Sequence, residues 1–260
     1  MGDESLEALS KAYDVFHSRR DPGPIADDPW HLWLRASIDL GRDVRGRRVL
    51  EAGAGRGGFA LWLAANGEPG CLVASDFSPG GLRMALDAAR DRPAPVGWPA
   101  ADVALLPFPD ATFDTVICCE TIEHVLDPPR ATRELARVLR PGGRLYLTTP
   151  SYLNATGLYR GYLRLTGRRY DEGGQPVANF TMLPRTAWWL RRAGLRIERS
   201  DGVGHYLPWP GRSPIRNRDL DARALRPLLK WFALHSAFVA RKAAAGDTVA
   251  PAAVTPGPPA

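Results

Sequence analysis

Apolar residues along this chain alternate between two spacings. Arg48-Val-Leu-Glu51, Cys71 to Ser75, Thr115 to Cys119 and Arg144 to Thr148 are short, nearly continuous apolar runs, the pattern of strands covered on both faces. Between them the apolar positions spread to every third or fourth residue. Phe59 to Ala65 predicts a helix behind the first run. A second helix is clearly punctuated, with Asp127 as N-cap, Pro128 at its first position and Pro141-Gly142-Gly143 closing it. Residues 4–18 and 28–40 predict two helices ahead of the first strand, the later one carrying Trp30, Leu32, Trp33 and Leu40. After Pro150 the alternation stops. It resumes with a helix from Pro184 to Ala193, a strand from Leu195 to Glu198, a helix from Leu220 to Leu234 and a last strand from His235 to Ala240.

Such an order predicts an α/β fold whose parallel sheet carries helices on both faces. One domain over residues 45–242 is expected, with N-terminal helices in 1–44 covering its site, an insertion at 151–182 and a loop at 202–220. Residues 243–260 are rich in Ala, Pro and Gly, too poor in apolar bulk to offset ordering entropy, and are expected to be disordered. No apolar run approaches the roughly 18 residues of a membrane span. Asp3, Glu4, Glu7 and Asp14 interrupt the first twenty residues, and the three cysteines include the adjacent Cys118 and Cys119. Neither a secretory signal nor a disulfide framework is expected, and a cytoplasmic protein fits both.

Charge is unevenly placed: residues 1–150 carry a net −4 and residues 151–218 a net +8. Much of that surplus lies in residues 157–170, where Arg160, Arg164 and Arg168 recur at four-residue spacing and Leu158, Tyr162 and Leu165 fall on another face. This predicts an amphipathic helix with its apolar face on the core and its arginines in water. Recognition of an anionic acceptor and docking on a membrane surface or a nucleic acid are the functional alternatives.

Glu51-Ala-Gly53-Ala-Gly55-Arg-Gly57-Gly58 carries the first chemistry. Gly53, Gly55 and Gly58 satisfy the dinucleotide pattern G-x-G-x-x-G after a strand and before a helix, and Asp76 lies about twenty residues on. Glu51 discriminates, because a carboxylate at the strand end repels a pyrophosphate and attracts a ligand bearing an ammonium and a sulfonium. S-adenosylmethionine is such a ligand.

With these residues the chain resembles the class I S-adenosylmethionine-dependent methyltransferases, with small-molecule O-methyltransferases of the ubiquinone-biosynthesis type nearest. Their first motif, an acid followed by x-G-x-G-x-G, is matched by Glu51, Gly53, Gly55 and Gly57. The resemblance implies that Asp76 holds the ribose hydroxyls, that Asp102 meets the adenine amino group with Val103 beside the ring, and that Ala54, Phe77 and Glu120 complete the cofactor site. It also implies a Rossmann-like seven-stranded sheet, mostly parallel, with an antiparallel last strand.

Beyond the fourth strand the chain reads Glu120-Thr-Ile-Glu123-His124. If it turns helically, Glu120, Glu123 and His124 share a face and could hold Mg2+, as the resembling E-x-x-E-H site of some relatives does. The small-RNA 2′-O-methyltransferases of that kind supply a second histidine downstream, where this chain offers Asn179. His124 as a metal-free base or pocket wall is therefore preferred, with His205 as a second candidate base. Cys118 and Cys119 read as core. The expected activity is S-adenosylmethionine-dependent methylation of a small molecule on a hydroxyl oxygen, the acceptor being a secondary metabolite, quinone or sugar-containing compound. An RNA 2′-O-methyltransferase and a catalytically silent cofactor-binding partner are the rivals. Against RNA stands the lack of a separate RNA-binding module or stacking motif.

Overall fold

The computed structural model describes residues 3–19, 28–90, 96–168, 174–207, 215–216 and 226–244. Seven strands form one sheet: β1 (Arg48–Ala52), β2 (Cys71–Ser75), β3 (Val96–Gly97), β4 (Phe113–Cys119), β5 (Leu139–Pro150), β6 (Leu195–Val203) and β7 (His235–Lys242). Their spatial order is β3-β2-β1-β4-β5-β7-β6. The pairs among β1 to β5 are parallel, and β7 runs antiparallel to both β5 and β6. Chain order reverses between β1 and β4, which opens a crevice at the carboxyl ends of those strands. The Rossmann-like mixed sheet expected from the resemblance is therefore present. β3 escaped the apolar pattern because two residues are too short for any periodicity.

Strand alternation divides the core into two layers. Leu50, Val116, Cys118, Leu145, Leu147 and Phe238 pack with α5 (Pro128–Val138) and α7 (Leu183–Arg192), through Leu135 and Leu190. Val49, Ile117, Tyr146 and Val239 face α2 (Pro29–Ser37) and α3 (Gly58–Gly67), meeting Leu34, Phe59 and Leu63. Each such aliphatic side chain removed from water contributes about 1.5 to 3 kcal/mol, so the layers hold the strand ends rigidly in register. The cysteines sit here as expected, with burial pushing both the Cys118 and Cys119 thiols up. An additional helix, α4 (Pro79–Ala89), comes after β2, with the Ser78 hydroxyl accepting from Gly81 N–H as N-cap at 2.9 Å.

The N-terminal helix α1 (Asp3–Ser18) closes over the carboxyl edge. Asp14 accepts from Gly80 N–H at 2.7 Å, Ser10 Oγ donates to the Phe77 carbonyl at 3.1 Å, and Tyr13 Oη donates to the His124 carbonyl at 2.9 Å. α2 is fixed by Trp33 Nε1 donating to Asp201 at 2.8 Å.

Two expectations need correction. Of the helix expected over Leu220–Leu234, residues 220–225 lie outside the described residues, and from residue 226 the chain forms only the four-residue α8 (Arg226–Leu229) and a turn into β7. In the insertion, α6 (Ala155–Leu165) forms, but it is rotated from its expected setting. Leu163 is buried, whereas Leu158 and Leu165 are 79% and 90% exposed. Arg160, expected in water, lies 4.5 Å from the Tyr152 ring centroid and donates to the Ala178 carbonyl at 2.6 Å. A guanidinium stacked on an aromatic face and bonded to a carbonyl is favourable where an ammonium would be poorly placed. Among the described residues, Tyr206–Leu207 and Ile215–Arg216 pair as a short ribbon in the 202–220 loop. The expected disordered tail lies outside the described residues from residue 245 onward.

Candidate functional site

A cavity of about 390 Å³ lies over the crevice. Its floor is the glycine turn after β1. Gly53, Gly55 and Gly57 all have φ between +53° and +81°, the left-handed region that side chains avoid. A Cβ on Gly53 would stand 2.2 Å from the Thr121 side chain, so the turn after β1 and the turn after β4 fit only without it. Gly57 does another job: its Cβ would meet Trp98 and Ala85 at 2.6 and 2.8 Å, so it allows α3 to pack and does not line the cavity.

Each of the other residues expected at the cofactor lines this cavity: Glu51, Gly53, Ala54, Gly55, Asp76, Phe77, Asp102, Val103 and Glu120. Glu51 ends β1 facing inward. Burial pushes its carboxyl up to about 8, with repulsion from Asp76 adding to the shift and the Ala60 N–H opposing it. Its Oε2 is buried and has no hydrogen-bond partner. Asp76 accepts from Gly55 N–H at 2.7 Å and Ser78 N–H at 2.8 Å; burial still raises its pKa, against those bonds and the nearby His17. Asp102 is anchored by Ala104 N–H at 2.8 Å. Glu51 and Asp76 at the ends of β1 and β2, with Asp102 in the loop after β3, thus bring their carboxyl groups to one cavity, and an unpartnered buried carboxylate oxygen suits a cationic ligand.

At the end of β4 the expected shared face does not form. Glu120 has φ +49°, and the helical turn spans only Ile122–His124, so Glu120 lies outside the turn that carries the other two. Its Oε2 instead accepts from His235 Nδ1 at 2.8 Å. Glu123 is sealed in the wall, where Oε2 accepts from Thr149 Oγ1 at 2.9 Å. His124 Nδ1 contacts the Val177 carbonyl at 2.7 Å, and Nε2 lies 3.4 Å from Glu123 Oε1. A carbonyl only accepts, so Nδ1 carries hydrogen and both ring nitrogens of His124 face protein groups. Asn179, at the position where a further histidine was sought, donates to the Glu123 and Val125 carbonyls at 2.9 and 2.6 Å and clamps the turn. Among the described residues no cluster of three His, Cys, Asp or Glu side chains has metal-holding geometry.

His205 lies elsewhere. It is buried, does not line the cavity, and its Nε2 contacts the Leu229 carbonyl at 3.1 Å, so it cannot reach an acceptor held there. Residues not anticipated from sequence complete the wall: Tyr13, Phe16 and His17 from α1, Trp30 and His31 from α2, Phe59 from α3, Gln175 from the insertion and His235 from β7.

Comparison with known proteins agrees with this architecture. A family pattern described as a methyltransferase domain matches residues 50–147. A ubiquinone biosynthesis O-methyltransferase of Xanthomonas euvesicatoria pv. vesicatoria is 32% identical over 182 residues, covering 68% of this chain and 73% of that protein. A ubiquinone/menaquinone biosynthesis C-methyltransferase of Serratia proteamaculans is 35% identical over 147 residues, 54% of this chain and 59% of the relative, so the chain spans only about three fifths of that protein. Among solved structures, an S-adenosylmethionine dependent methyltransferase from Mesorhizobium loti superposes with a TM-score of 0.59 at 20% identity, covering 83% of this chain and 99% of the other. A Haloferax volcanii methyltransferase described in complex with its Trm112 activator gives a TM-score of 0.63 at 19% identity over 90% and 98%. At such identities the superpositions speak for the fold alone.

Proposed function

The chain belongs to the S-adenosylmethionine-dependent methyltransferases, and from that premise we propose that it methylates a hydroxyl oxygen of a small, uncharged aromatic acceptor. The observation that carries the reading is the buried, unpartnered Glu51 Oε2 in one cavity with Asp76 and Asp102. These residues fit S-adenosylmethionine, which when bound supplies a methyl carbon activated by a sulfonium. Glu51 would hold the amino-acid end, Asp76 the ribose hydroxyls and Asp102 the adenine amino group, with Val103 beside the ring. Placement is then most of what the protein has to provide, because in-line transfer needs the two reactants held close and water kept out. α1 supplies that exclusion, tied down at Phe77, Gly80 and His124.

Six carboxylates line the cavity: Asp28, Glu51, Asp76, Asp102, Glu120 and Glu123. Acidic groups outnumber Arg56, the arginine of the cavity wall, so a phosphate or an RNA strand finds little to hold it, and Arg160 is stacked away from the role of steering an anion. Trp30, Phe16 and Phe59 favour a neutral ring, such as a quinol. The exposed Leu158 and Leu165 of α6, beside Arg164, support contact of residues 157–168 with a membrane surface, where such apolar acceptors partition. Incubation with methyl-labelled S-adenosylmethionine and a panel of neutral phenols tests the reading. Label is expected in the extracted phenol ether. Binding of the cofactor without transfer to any phenol, amine or carbon acid would instead identify a silent cofactor-binding partner.

A further inference from the structure

A hydroxyl acceptor must lose a proton, and four imidazoles reach the cavity wall: His17, His31, His124 and His235. The reversed last strand sets one of them apart. β4 and β5 bring their final residues to the carboxyl edge of the sheet, whereas antiparallel β7 brings its first, and His235 pairs with Pro150 there. Glu120 comes directly after β4, its N–H donating to the Thr148 carbonyl at 3.0 Å. Glu120 and His235 therefore meet across the end of β5, 2.8 Å apart between Oε2 and Nδ1. A carboxylate only accepts, so the hydrogen sits on Nδ1 and the lone pair of the neutral ring on Nε2. That Nε2 makes no hydrogen bond among the described residues and, unlike Glu120 Oε1, is not sealed from the cavity. Trp30 packs on the ring with centroids 4.6 Å apart, which restricts its rotation from the other side. His124, by contrast, has both nitrogens turned to protein groups.

We infer that Glu120 and His235 form a carboxylate–imidazole dyad in which His235 Nε2 takes the acceptor's hydroxyl proton during methyl transfer, with Glu120 as the positioning residue. The assignment rests on the methyltransferase reading. In the step the acceptor O–H bond breaks and its proton goes to Nε2. The oxygen's electron pair forms the bond to the methyl carbon, and the pair of the broken carbon–sulfur bond stays on sulfur. The imidazolium that results lies against Glu120, so its charge is balanced inside the cavity.

The test compares the full chain with H235Q, H235A and E120Q, using methyl-labelled S-adenosylmethionine with catechol and hydroquinone, and calorimetry of S-adenosylhomocysteine. Both His235 variants should lose at least about 100-fold in kcat while the S-adenosylhomocysteine Kd stays within twofold, and added imidazole should restore part of the H235A rate. E120Q should lose less. More than a tenth of wild-type kcat in H235A, in a protein that still binds S-adenosylhomocysteine, would overturn the dyad and leave the methyltransferase reading standing. A wild type that binds neither S-adenosylmethionine nor S-adenosylhomocysteine would overturn both. Should the variants not fold, or neither phenol turn over, diethylpyrocarbonate on the wild type decides: the reagent should carbethoxylate His235 ahead of His124, and an unreacted His235 overturns the assignment.

Discussion

Glu51 offers the most quantitative prediction, because its burial couples folding, pH and ligand binding. Its carboxyl moves from an ordinary value of 4.5 to about 8. A raised carboxyl favours the protonated form in the folded state, so the stability it contributes is full below pH 4.5 and is lost as pH rises through 8. The whole span is worth on the order of 5 kcal/mol, of which about 3 kcal/mol is already lost at pH 7. Glu51→Gln keeps the shape and removes the titration. The ligand-free variant should therefore be more stable than wild type at pH 8 by a few kcal/mol, roughly 6 to 12 °C in Tm for a chain of this size, with little difference at pH 4.5. The gain comes at the expense of binding: S-adenosylhomocysteine should bind the variant at least tenfold more weakly, since a neutral amide replaces the anion that meets the ammonium. Wild type should also release protons on binding cofactor at pH 7, a release that the variant lacks at this position, because Glu51 is largely protonated beforehand. Scanning calorimetry across pH, and titration calorimetry in buffers of different ionisation enthalpy, read both quantities. Equal pH slopes in the two proteins, together with equal affinities, would refute the electrostatic account of Glu51.

The turn, the far edge of the sheet and the metal question give three further predictions. Gly53→Ala puts a Cβ 2.2 Å from Thr121 at a φ of +81°, so cofactor affinity should fall by an order of magnitude or more in calorimetry while the far-ultraviolet dichroism is kept. Asp43 is buried and accepts from Arg42, Arg144 and Tyr146, which hold its carboxyl below the usual range against the opposing effect of burial; Asp43→Asn should cost about 3 to 5 kcal/mol in urea denaturation with little change in cofactor affinity. Because Glu120 is committed to His235, EDTA should leave methyl transfer unchanged, and activity abolished by chelator and restored by Mg2+ would reinstate the metal site.

How far these features could be read from sequence depends on the range of the contacts that make them. Glu51, Gly53 and Asp76 belong to one strand–helix–strand unit, so local punctuation suffices to place them together. Sequence could not do the same for Tyr13 with His124 or Glu120 with His235, which are 111 and 115 residues apart and meet only through the sheet order. The antiparallel β7 was anticipated, yet what its first residue would touch depends on register, which a lone apolar run does not carry. α6 failed for a different reason: residue spacing defines its two faces, and only the packing of Tyr152 and Phe180 shows that Arg160 is on the inner one. Asn179 looked like a missing ligand and is a clamp, a role visible only through the two carbonyls it reaches.

The central claim is that Glu51, Asp76 and Asp102 build a site for S-adenosylmethionine and not for a dinucleotide. Titration of the ligand-free protein with S-adenosylhomocysteine and, separately, with NAD addresses it most directly. The account predicts one-to-one binding of S-adenosylhomocysteine at micromolar or tighter Kd and no heat from NAD, because an ammonium gains attraction by drawing the proton off the buried Glu51 carboxyl whereas a pyrophosphate gains none. Micromolar binding of NAD with none of S-adenosylhomocysteine would contradict it.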